Sequence, residues 1–466
     1  MLRAHLVEDI RRAEDAAAER VGPDGLMQRA AHALADHLEA VVPADEPVVF
    51  LIGPGNNGGD GLFAAARLRR SGRPVRACLL SAERIHVAGL REAQSAGVTI
   101  VDRPRDEKWL VDALFGIGAN AGLTETAAQW AAWARTSGAH VIAVDTPSGV
   151  GVGEGTCPES AFSAHETVTF GTHKVSGLVP PASLAAGRIE LVDIGLAEFL
   201  GRAAVEVLEM SDGYRFAAHL TPVSADHKYS RGVVGVLAGS GQYPGAAILC
   251  VAGALGGPTS MVRYLGERDI SLAVIAAHPE VVADAGRVQA FIVGSGGVDE
   301  PGPVNQALAS GVPMLVDATG LKHLPELFDV DALLTPHAGE LALMLGVDRA
   351  AIEAEPLRHA RLAATRWDAT VLLKGAHTLV VAPDGRVRVN HSGTPWLATA
   401  GAGDVLAGFA GSLMSAGLDA FDAGSVAALI HGVAAQEVNP GGPITASQVA
   451  ERLPRVLARF LTGVAA

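Results

Sequence analysis

The chain has 466 residues, of which 49% are hydrophobic and 18% charged, with 55 glycines and 25 prolines. This length exceeds what a single hydrophobic core organises, and the composition is that of a globular α/β protein, so we expect two folded domains and exclude a disordered chain. The formal charge is -14 and no long basic stretch is present, so we predict no nucleic-acid partner.

The cysteines and the hydropathy of the chain indicate the cellular compartment of the protein. Cys78, Cys157 and Cys250 are far apart and lack CxxC or His-rich companions, which indicates neither a disulfide framework nor a zinc site. The first 21 residues alternate charges with alanines, and no run of about 18 apolar residues occurs. We therefore expect no membrane contact and a cytoplasmic location.

The first half of the chain alternates short apolar runs with helical patterns. Helical periodicity covers 6–18, 26–41, 62–70 and 127–136, and the candidate buried strands are 48–52, 75–80, 110–115 and 141–145. Such alternation predicts a mostly parallel sheet with helices on both faces, a Rossmann-like three-layer αβα domain.

The pattern fades across 210–231 and then resumes, so we predict two domains, 1–213 and 214–466. The second domain has candidate strands at 233–237, 290–293, 314–316 and 371–373, and helical patterns at 405–414 and 425–438. The segment 379–389 is split by Pro383-Asp384-Gly385, which predicts a hairpin. This half is a second α/β domain.

A glycine-rich segment, GPGNNGGDG (Gly53 to Gly61), follows the apolar run VVFLI. A strand-to-helix turn of this kind can direct several N–H groups and a helix N-terminus at one anion, which predicts a phosphate-binding loop. It is neither the GxGxxG fingerprint of redox dinucleotide domains nor a P-loop, so we predict no hydride transfer. The alternative is a turn needed only for close packing.

Two acids follow later strands: Asp112 and Asp145. Ligands of open α/β sheets bind at the carboxyl ends of the strands, so both acids are placed for function. Asp145 is a candidate proton acceptor, whereas Asp112 with Asn57 and Ser148 could form an all-oxygen cation site. Either aspartate taken alone could instead cap the following helix.

The segments GPGNNGGDG, DALFGIG, VDTPSGV and VTFGTHK resemble, in the same order, the motifs of the NAD(P)HX epimerase family. Members interconvert the R and S forms of NADH or NADPH hydrated at C6 of the nicotinamide ring, with a bound potassium ion. The resemblance implies that Asn57, Asp112 and Ser148 bind K⁺ and that Asp145 and Lys174 are catalytic, unless Lys174 is only a solvated surface charge. The implied dinucleotide-binding residues are Asn56, Asn57, Gly58, Gly59, Asp60, Gly116, Ile117, Gly118, Ala119, Asn120, Ala121, Gly122 and Asp145.

In the second half, ATAGAGDVLAG (398–408) sets a glycine-rich turn before a helix. The N–H groups of Gly401 to Gly403 would form an anion hole, and Asp404 in the first helical turn could accept a proton from an attacking hydroxyl. This pattern is typical of phosphoryl transfer and resembles the signature of ribokinase-like proteins.

Six further segments, KYSRGVVGVLAGS, YPGAAILC, IVGSG, LVDATG, LLTPHAGEL and LLKGAHTLV, resemble the NAD(P)HX dehydratase branch of that superfamily. That branch uses ADP, or ATP in eukaryotic relatives, to phosphorylate the hydroxyl of the S hydrate before phosphate is lost. The resemblance implies a ribokinase-like αβα fold, Mg²⁺, and Asp404 as the catalytic residue. It places Ala246, Gly296 and His337 around the hydrate, Lys374, Gly375, Ala376, His377 and Thr378 along the nucleotide, and Gly403 and Asp404 at the reacting groups; His337 could equally be structural, and Glu340 could act through Mg²⁺.

Three positions depart from the family patterns. Gly151 stands where an Asp is usual, which predicts a more mobile loop over 149–155. Ala402 replaces a Thr hydroxyl, and Thr319 replaces an Asp. The backbone anion hole needs no side chain at Ala402, whereas the change at Thr319 removes a candidate metal or substrate contact.

The hypothesis is a bifunctional repair enzyme acting on NADHX and NADPHX with an adenine nucleotide, for which we favour ADP. One rival is a kinase for another hydroxylated metabolite. The other makes the first domain a non-catalytic dinucleotide sensor. Large sheets with exposed edges favour a homo-oligomer.

Overall fold

The structure is a computed structural model that describes residues 1–22 and 24–463. The chain forms two compact units. One contains Arg3–Val205, and the other contains Met1 and Leu2 together with the chain from Glu206 onward. The sequence placed this division later, after Gly213.

The unit Arg3–Val205 is built on a parallel seven-stranded sheet. The strands of this half are β1 (Leu2–His5), β2 (Val48–Ile52), β3 (Val75–Leu79), β4 (Thr99–Val101), β5 (Trp109–Ala113), β6 (His140–Val144), β7 (Glu166–Phe170), β8 (His173–Lys174) and β9 (Arg188–Val192). The helices are α1 (Val7–Val21), α2 (Gly25–Val41), α3 (Asn56–Arg70), α4 (Val87–Ser95), α5 (Glu125–Ser137), α6 (Val175–Leu178) and α7 (Ala182–Ala185). The sheet order is β4-β3-β2-β5-β6-β7-β9, and β1 pairs separately with β8.

Strand β2 shows why this sheet reads as continuous apolar runs. Val48, Phe50 and Ile52 pack in one core with α2 and α3, whereas Val49 and Leu51 pack in a second core with α5. Both faces of the sheet are therefore covered by helices, and every residue of the strand is buried. The prediction of a mostly parallel sheet between helical layers is confirmed.

The glycine-rich segment differs from its predicted form. Helix α3 begins at Asn56, not at residue 62, so the Asn-Asn-Gly-Gly-Asp part lies in its first turns. Only Gly53 to Gly55 make the turn after β2. Gly53 is required there, because a β-carbon at this position would lie 1.7 Å from the carbonyl oxygen of Leu114 at the end of β5.

The second unit is a mixed sheet with helices packed against it. Its strands are β10 (Val205–Val207), β11 (Val233–Leu237), β12 (Met261–Tyr264), β13 (Ala290–Val293), β14 (Met314–Val316), β15 (Ala332–Leu334), β16 (Thr370–Leu373), β17 (Thr378–Val381) and β18 (Val387–Asn390). Its helices are α8 (Tyr214–Leu220), α9 (Pro244–Leu255), α10 (Arg268–Ala277), α11 (Gly302–Ala309), α12 (Ala338–Leu345), α13 (Arg349–Ala354), α14 (Pro356–Trp367), α15 (Ala402–Ser415), α16 (Ala420–Val438) and α17 (Ala446–Thr462). The strand order is β12-β11-β13-β14-β15-β16-β17-β18-β10, and only the pairs β16-β17 and β17-β18 are antiparallel.

Close packing of α15 on α9 fixes the start of α15. A β-carbon at Gly408 would lie 1.9 Å from the carbonyl oxygen of Cys250, and one at Gly253 would lie 2.2 Å from that of Val405. The two backbones can approach this closely only because both positions are glycine. The first turn of α15, which carries Gly403 and Asp404, is thereby held by a rigid helix pair.

Across residues 1–22 and 24–463, no helix combines the length and the apolar character that a membrane crossing requires.

Candidate active sites

A cleft of about 920 Å³ lies in the first unit, lined by the residues that follow β2, β5 and β6. These three strands are neighbours in the sheet, so their carboxyl ends open on one side. Ten residues that the sequence assigned to dinucleotide binding line it: Asn56, Asn57, Asp60, Gly116, Ile117, Gly118, Ala119, Asn120, Gly122 and Asp145. The cleft also exposes two cationic side chains, Arg11 and Arg84.

Three other residues of that set do not line the cleft. Gly58 and Gly59 are buried within α3, and Ala121 is exposed. A β-carbon at Gly58 would lie 2.0 Å from the carbonyl oxygen of Gly53, so this glycine lets the helix start close to the preceding turn. Gly58 therefore shapes the first turn of α3, which contains Asn56 and Asn57.

Asp145 follows β6 with φ 69°, a left-handed conformation that is uncommon for a residue other than glycine. Its Oδ1 forms an ion pair with Lys174, whose side chain is only 3% exposed, and accepts hydrogen bonds from Thr169 Oγ1 (3.2 Å) and the N–H of Phe170 (3.4 Å). The Lys174 ammonium also donates to Thr169 Oγ1 (3.0 Å) and the carbonyl of Phe170 (2.9 Å). Lys174 is thus a buried partner of Asp145, not a solvated surface charge.

Two more carboxyl groups face the same part of the cleft. Burial raises the pKa of Asp60 well above its usual range, and the charges of Asp145 and Glu14 raise it further. Burial, followed by the charge of Asp145, also raises the pKa of Glu14 on α1. The sequence did not predict Glu14 as a site residue, because the local pattern of an amphipathic helix does not show which distant residues an acid on that helix contacts.

Asp112 and Ser148 lie beneath the cleft as a buried oxygen cluster. Ser148 donates from Oγ to Asp112 Oδ1 (2.7 Å) and from its N–H to Oδ2 (2.8 Å), and the N–H of Leu114 also donates to Oδ1 (3.3 Å). Burial raises the pKa of Asp112 to about 6, against the lowering by these hydrogen bonds. Asn57 Oδ1 faces the same segment, since a β-carbon at Gly116 would lie 3.1 Å from it.

The glycine-rich loop over 149–155 is closed on itself, although its composition predicted mobility. The N–H of Gly151 donates to the carbonyl of Thr156, and the N–H of Gly155 donates to the carbonyl of Gly151, both at 2.8 Å. A β-carbon at Gly151 would lie 2.1 Å from Thr156 Oγ1. Backbone hydrogen bonds therefore hold this segment in a tight turn, although position 151 lacks the usual Asp side chain.

In the second unit, Asp317 at the carboxyl end of β14 forms the centre of a polar cluster. Its Oδ1 accepts from Lys374 Nζ (2.9 Å) and Thr335 Oγ1 (2.8 Å), and its Oδ2 accepts from Ser295 Oγ (2.9 Å). Three different strands deliver these partners. The sequence did not predict Asp317 as a site residue, although its position directly after a buried strand follows the rule that selected Asp112 and Asp145.

Asp404 lies in the first turn of α15, whose N-cap is Gly401. Burial raises the pKa of Asp404 to about 7, with a further contribution from the charge of Asp317 and an opposing one from Lys374. A β-carbon at Gly403 would lie 3.5 Å from Lys374 Nζ, so the lysine ammonium lies beside the start of α15. The helix N-terminus supplies N–H groups without intrahelical partners next to this carboxyl group.

His337 and Glu340 cap α12 at the opposite side of Lys374. Glu340 Oε2 accepts from the N–H of His337 (2.8 Å), and His337 Nδ1 accepts from the N–H of Glu340 (3.1 Å). Glu340 Oε2 also lies 3.8 Å from Lys374 Nζ. Burial alone would lower the pKa of Lys374, but the charges of Asp317 and Glu340 raise it. His337 has a capping role and still exposes 58% of its side chain.

The remaining predicted residues form two groups, one near the start of α9 and one between β16 and β17. Ala246 and Gly296 are adjacent, since a β-carbon at Gly296 would lie 2.3 Å from that of Ala246. Gly375 and Ala376 are exposed after β16, and Thr378 begins β17. His377 packs on His391 with 4.3 Å between ring centroids, and burial together with that neighbour lowers the pKa of His377 to about 4.

Two family models match the chain. The model described as YjeF-related protein N-terminus matches residues 23–176, and the model described as NAD(P)H-hydrate dehydratase matches residues 234–455. The first match contains the cleft residues after β2, β5 and β6. The second contains Lys374 and Asp404.

Curated relatives match both halves together. The chain is 39% identical to the bifunctional NAD(P)H-hydrate repair enzyme of Mycobacterium leprae, over 94% of this chain and 95% of that protein. It is 40% identical to the enzyme of the same name from Mycobacterium tuberculosis, over 86% and 87% of the two chains.

A solved structure is similar to the second unit. The ADP/ATP-dependent NAD(P)H-hydrate dehydratase of Bacillus subtilis, crystallised with ATP and Mg²⁺, superposes with a TM-score of 0.51 and 26% identity over 55% of this chain and 99% of that one. Together with the relatives that cover both halves, this places the chain in the family of bifunctional NAD(P)H-hydrate repair enzymes.

Proposed function

We propose that this chain repairs hydrated NADH and NADPH in two steps. The first unit interconverts the R and S hydrates, and the second dehydrates the S form to NAD(P)H at the expense of ADP or ATP. The observation that carries the proposal is the presence, in each unit, of a carboxyl-rich site with its own lysine–aspartate pair: Lys174 with Asp145, and Lys374 with Asp317. Both halves of the known relatives are therefore equipped in this chain.

In the dehydration step, Asp404 acts as the general base. Its carboxylate accepts the proton of the C6 hydroxyl, whose oxygen forms a bond to the terminal phosphorus of the nucleotide as the bond to the leaving phosphate oxygen breaks. The phosphate ester then leaves as inorganic phosphate, a proton is lost from C5, and the reduced ring is regenerated. A pKa near 7 suits this role, because a substantial fraction of the base is ionised at neutral pH and the carboxylate is basic enough to accept a proton.

The residues beside Asp404 hold the phosphates. The N-terminal N–H groups of α15 and the Lys374 ammonium present positive charge from two directions. Asp317 and Glu340 fix the lysine between them. Ala246, Gly296 and His337 would contact the hydrate, and Gly375 to Thr378 would follow the nucleotide.

Mg²⁺ fits this site as a partner of the phosphates. Within the described chain, no group of three or more His, Cys, Asp or Glu side chains could hold a metal by itself. Mg²⁺ characteristically uses one or two carboxylates and completes its shell with substrate phosphates and water, so Glu340 suffices as the protein ligand. The ion would neutralise charge on the transferred phosphoryl group.

In the epimerisation step, Asp145 and Lys174 act at the reacting carbon. The cleft is large enough for a nicotinamide nucleotide, and Asn56, Asn57 and the segment Gly116 to Gly122 would hold it. Lys174 keeps Asp145 oriented through the ion pair and its bonds to the β7 end. The strained backbone of Asp145 is of the kind that folds retain at functional positions.

Potassium fits the oxygen cluster below the cleft. Asn57 Oδ1, the Asp112 carboxylate and Ser148 Oγ are hard ligands of the type that alkali cations prefer. Asp112 is fully buried, and the contacts that it makes with Ser148 and Leu114 involve no basic side chain. A bound K⁺ would supply the missing positive charge and would hold the first turn of α3, which carries Asn57, against Asp112 and Ser148.

The experiment that tests the dehydration half supplies the purified S hydrate of NADH, ADP and Mg²⁺. We expect NADH, detected at 340 nm in the ordinary way, with one inorganic phosphate released per NADH formed. The rival kinase reading requires a stable phosphorylated product and no phosphate release. ADP and ATP compared side by side identify the preferred donor.

A further inference from the structure

Four ionisable side chains from four elements converge on the cleft of the first unit. They are Glu14 of α1, Asp60 of α3, Asp145 after β6 and Lys174 of β8. The other charged groups near them are Arg11 and Asp15 on α1 and Arg84 at the cleft wall. Three carboxyl groups therefore share one buried ammonium, and that ammonium is paired with Asp145.

This arrangement favours the protonated form of Asp60. Burial removes the Asp60 carboxyl group from water. The nearest charges, those of Asp145 and Glu14, are negative, and only the charge of Lys174 opposes them. A second buried carboxylate beside Asp145 would have no cation of its own. Like charges in a shared site oppose one another's ionisation, so burial and these neighbours favour the neutral form of Asp60.

Asp60 is also placed to act on a ligand. It lines the cleft, and among the described residues its Oδ1 is buried without a hydrogen-bond partner. One helical turn earlier, Asn57 is 9% exposed and its Nδ2 likewise lacks a partner in the described chain. Buried polar atoms are normally hydrogen-bonded, so these two atoms indicate contacts that a bound molecule completes.

We propose that Asp60 is the general acid of epimerisation and Asp145 the general base, and this rests on the proposed function. The Asp60 carboxyl donates its proton to the C6 hydroxyl, the C6–O bond breaks, and the oxygen leaves as water. The lone pair of the ring nitrogen forms an N1=C6 double bond. A water molecule then adds to the opposite face of C6 and gives a proton to Asp145. The reverse reaction, or proton transfer between the two carboxyl groups, restores the starting state.

The charge of the site selects this route over ring opening. Breaking the C6–N1 bond instead would begin with an alkoxide at C6, and the Asp145 and Glu14 carboxylates disfavour new negative charge. Loss of the hydroxyl produces a cation, which the same carboxylates stabilise. The cluster is therefore complementary to an iminium ion.

Glu14 is a positioning residue in this scheme. Its charge raises the pKa of Asp60, so Glu14→Gln should move the alkaline limb of the epimerase pH profile to lower pH without removing it. Glu19→Gln, an exposed carboxyl on the same helix, should leave the profile unchanged.

The test measures isotope incorporation and variant kinetics together. Wild-type enzyme in ¹⁸O-water should incorporate one ¹⁸O at C6 per epimerisation, above an enzyme-free blank. Its rate should fall as pH rises through the pKa of Asp60, because the acid form is required. Asp60→Asn should lower epimerase kcat about 100-fold and abolish that alkaline limb.

The outcomes separate this proposal from the general function. Epimerisation by the wild type with ¹⁸O incorporation well below one per turnover supports ring opening and overturns the proposal. Epimerase activity of Asp60→Asn within threefold of wild type also overturns it. No epimerisation by the wild type would contradict the proposed function instead. The isotope measurement needs no variant, so a folding defect of Asp60→Asn leaves the test decisive.

Discussion

The two sites use the same kinds of side chain, but the carboxyl group at the centre of each site is assigned a different role. Each joins a lysine–aspartate pair to a nearby carboxyl group of raised pKa. In the second unit, Lys374 lies close enough to lower the pKa of Asp404, which settles near 7. In the first unit, burial raises the pKa of Asp60 well above its usual range, the charges of Asp145 and Glu14 raise it further, and only the single ammonium of Lys174 opposes them.

This difference shows how the ratio of cations to carboxylates sets the chemistry of a site. A carboxyl group that titrates near neutral pH can accept a proton, as phosphoryl transfer to a hydroxyl requires. One that stays protonated can donate, as departure of a hydroxyl requires. The four predictions that follow test whether the sites are independent and whether each carboxyl group acts in its assigned state.

The largest effect is expected at Asp404. Asp404→Ala should lower the dehydration rate on the order of 1,000-fold, because it removes the base that activates the hydroxyl. Nucleotide binding, measured by calorimetry, should persist since the helix N-terminus is backbone. Epimerase activity of the same variant serves as the control; dehydration within tenfold of wild type would remove Asp404 from the mechanism.

Asp145 should give the next effect. Asp145→Ala should lower epimerisation about 100-fold, since the remaining groups cannot accept the proton of the water that adds at C6. The rate is followed by chromatographic separation of the two hydrates, and dehydration of the pure S form should be unchanged. If interconversion proceeds at the wild-type rate, the first unit is a binding module, as the rival hypothesis holds.

The effect of pH on dehydration should be smaller than that of either substitution, and it tests whether Asp404 is the titrating group. Only ionised Asp404 accepts a proton, so kcat/KM should rise about tenfold per pH unit below 7 and level off above it. Initial rates of NADH formation across pH 5.5 to 8.5 at constant ionic strength, a range of about three units around that pKa, measure this. A flat profile would show that Asp404 does not limit the reaction.

The smallest effect is expected at Glu340. Glu340→Gln should raise the Mg²⁺ concentration for half-maximal dehydration about tenfold, because one negative ligand is lost while the amide preserves the shape. A Mg²⁺ titration at saturating nucleotide measures it. Glu353→Gln, an exposed carboxyl on α13, is the matched control. Equal Mg²⁺ requirements in both variants would place the ion away from Glu340.

Much of the fold follows from local patterns. The strands β2 and β11 are uninterrupted apolar runs because both sheet faces are covered, and such runs are visible in the sequence. The aspartates that follow buried strands are equally visible, and Asp145 lies at the carboxyl edge as expected. The predicted start of α3 was wrong, because glycine-rich segments usually form turns, whereas Gly58 and Gly59 lie in this helix.

The contacts between distant residues were harder to predict. Glu14 reaches the cleft because of the way α1 is placed, and its local pattern would be the same on any amphipathic helix. Asp317 directly follows a buried strand, as Asp145 does, but its partners Ser295, Thr335 and Lys374 follow three other strands. Sequence patterns identify elements, whereas proton states depend on which charges the fold brings together.

The most direct test of the account supplies an equal mixture of R- and S-hydrated NADH to the full chain with K⁺, Mg²⁺ and excess ADP. Two working sites predict that all of the hydrate returns to NADH. Restoration that stops near one half, with the R form left over, would contradict the claim that this chain carries both activities.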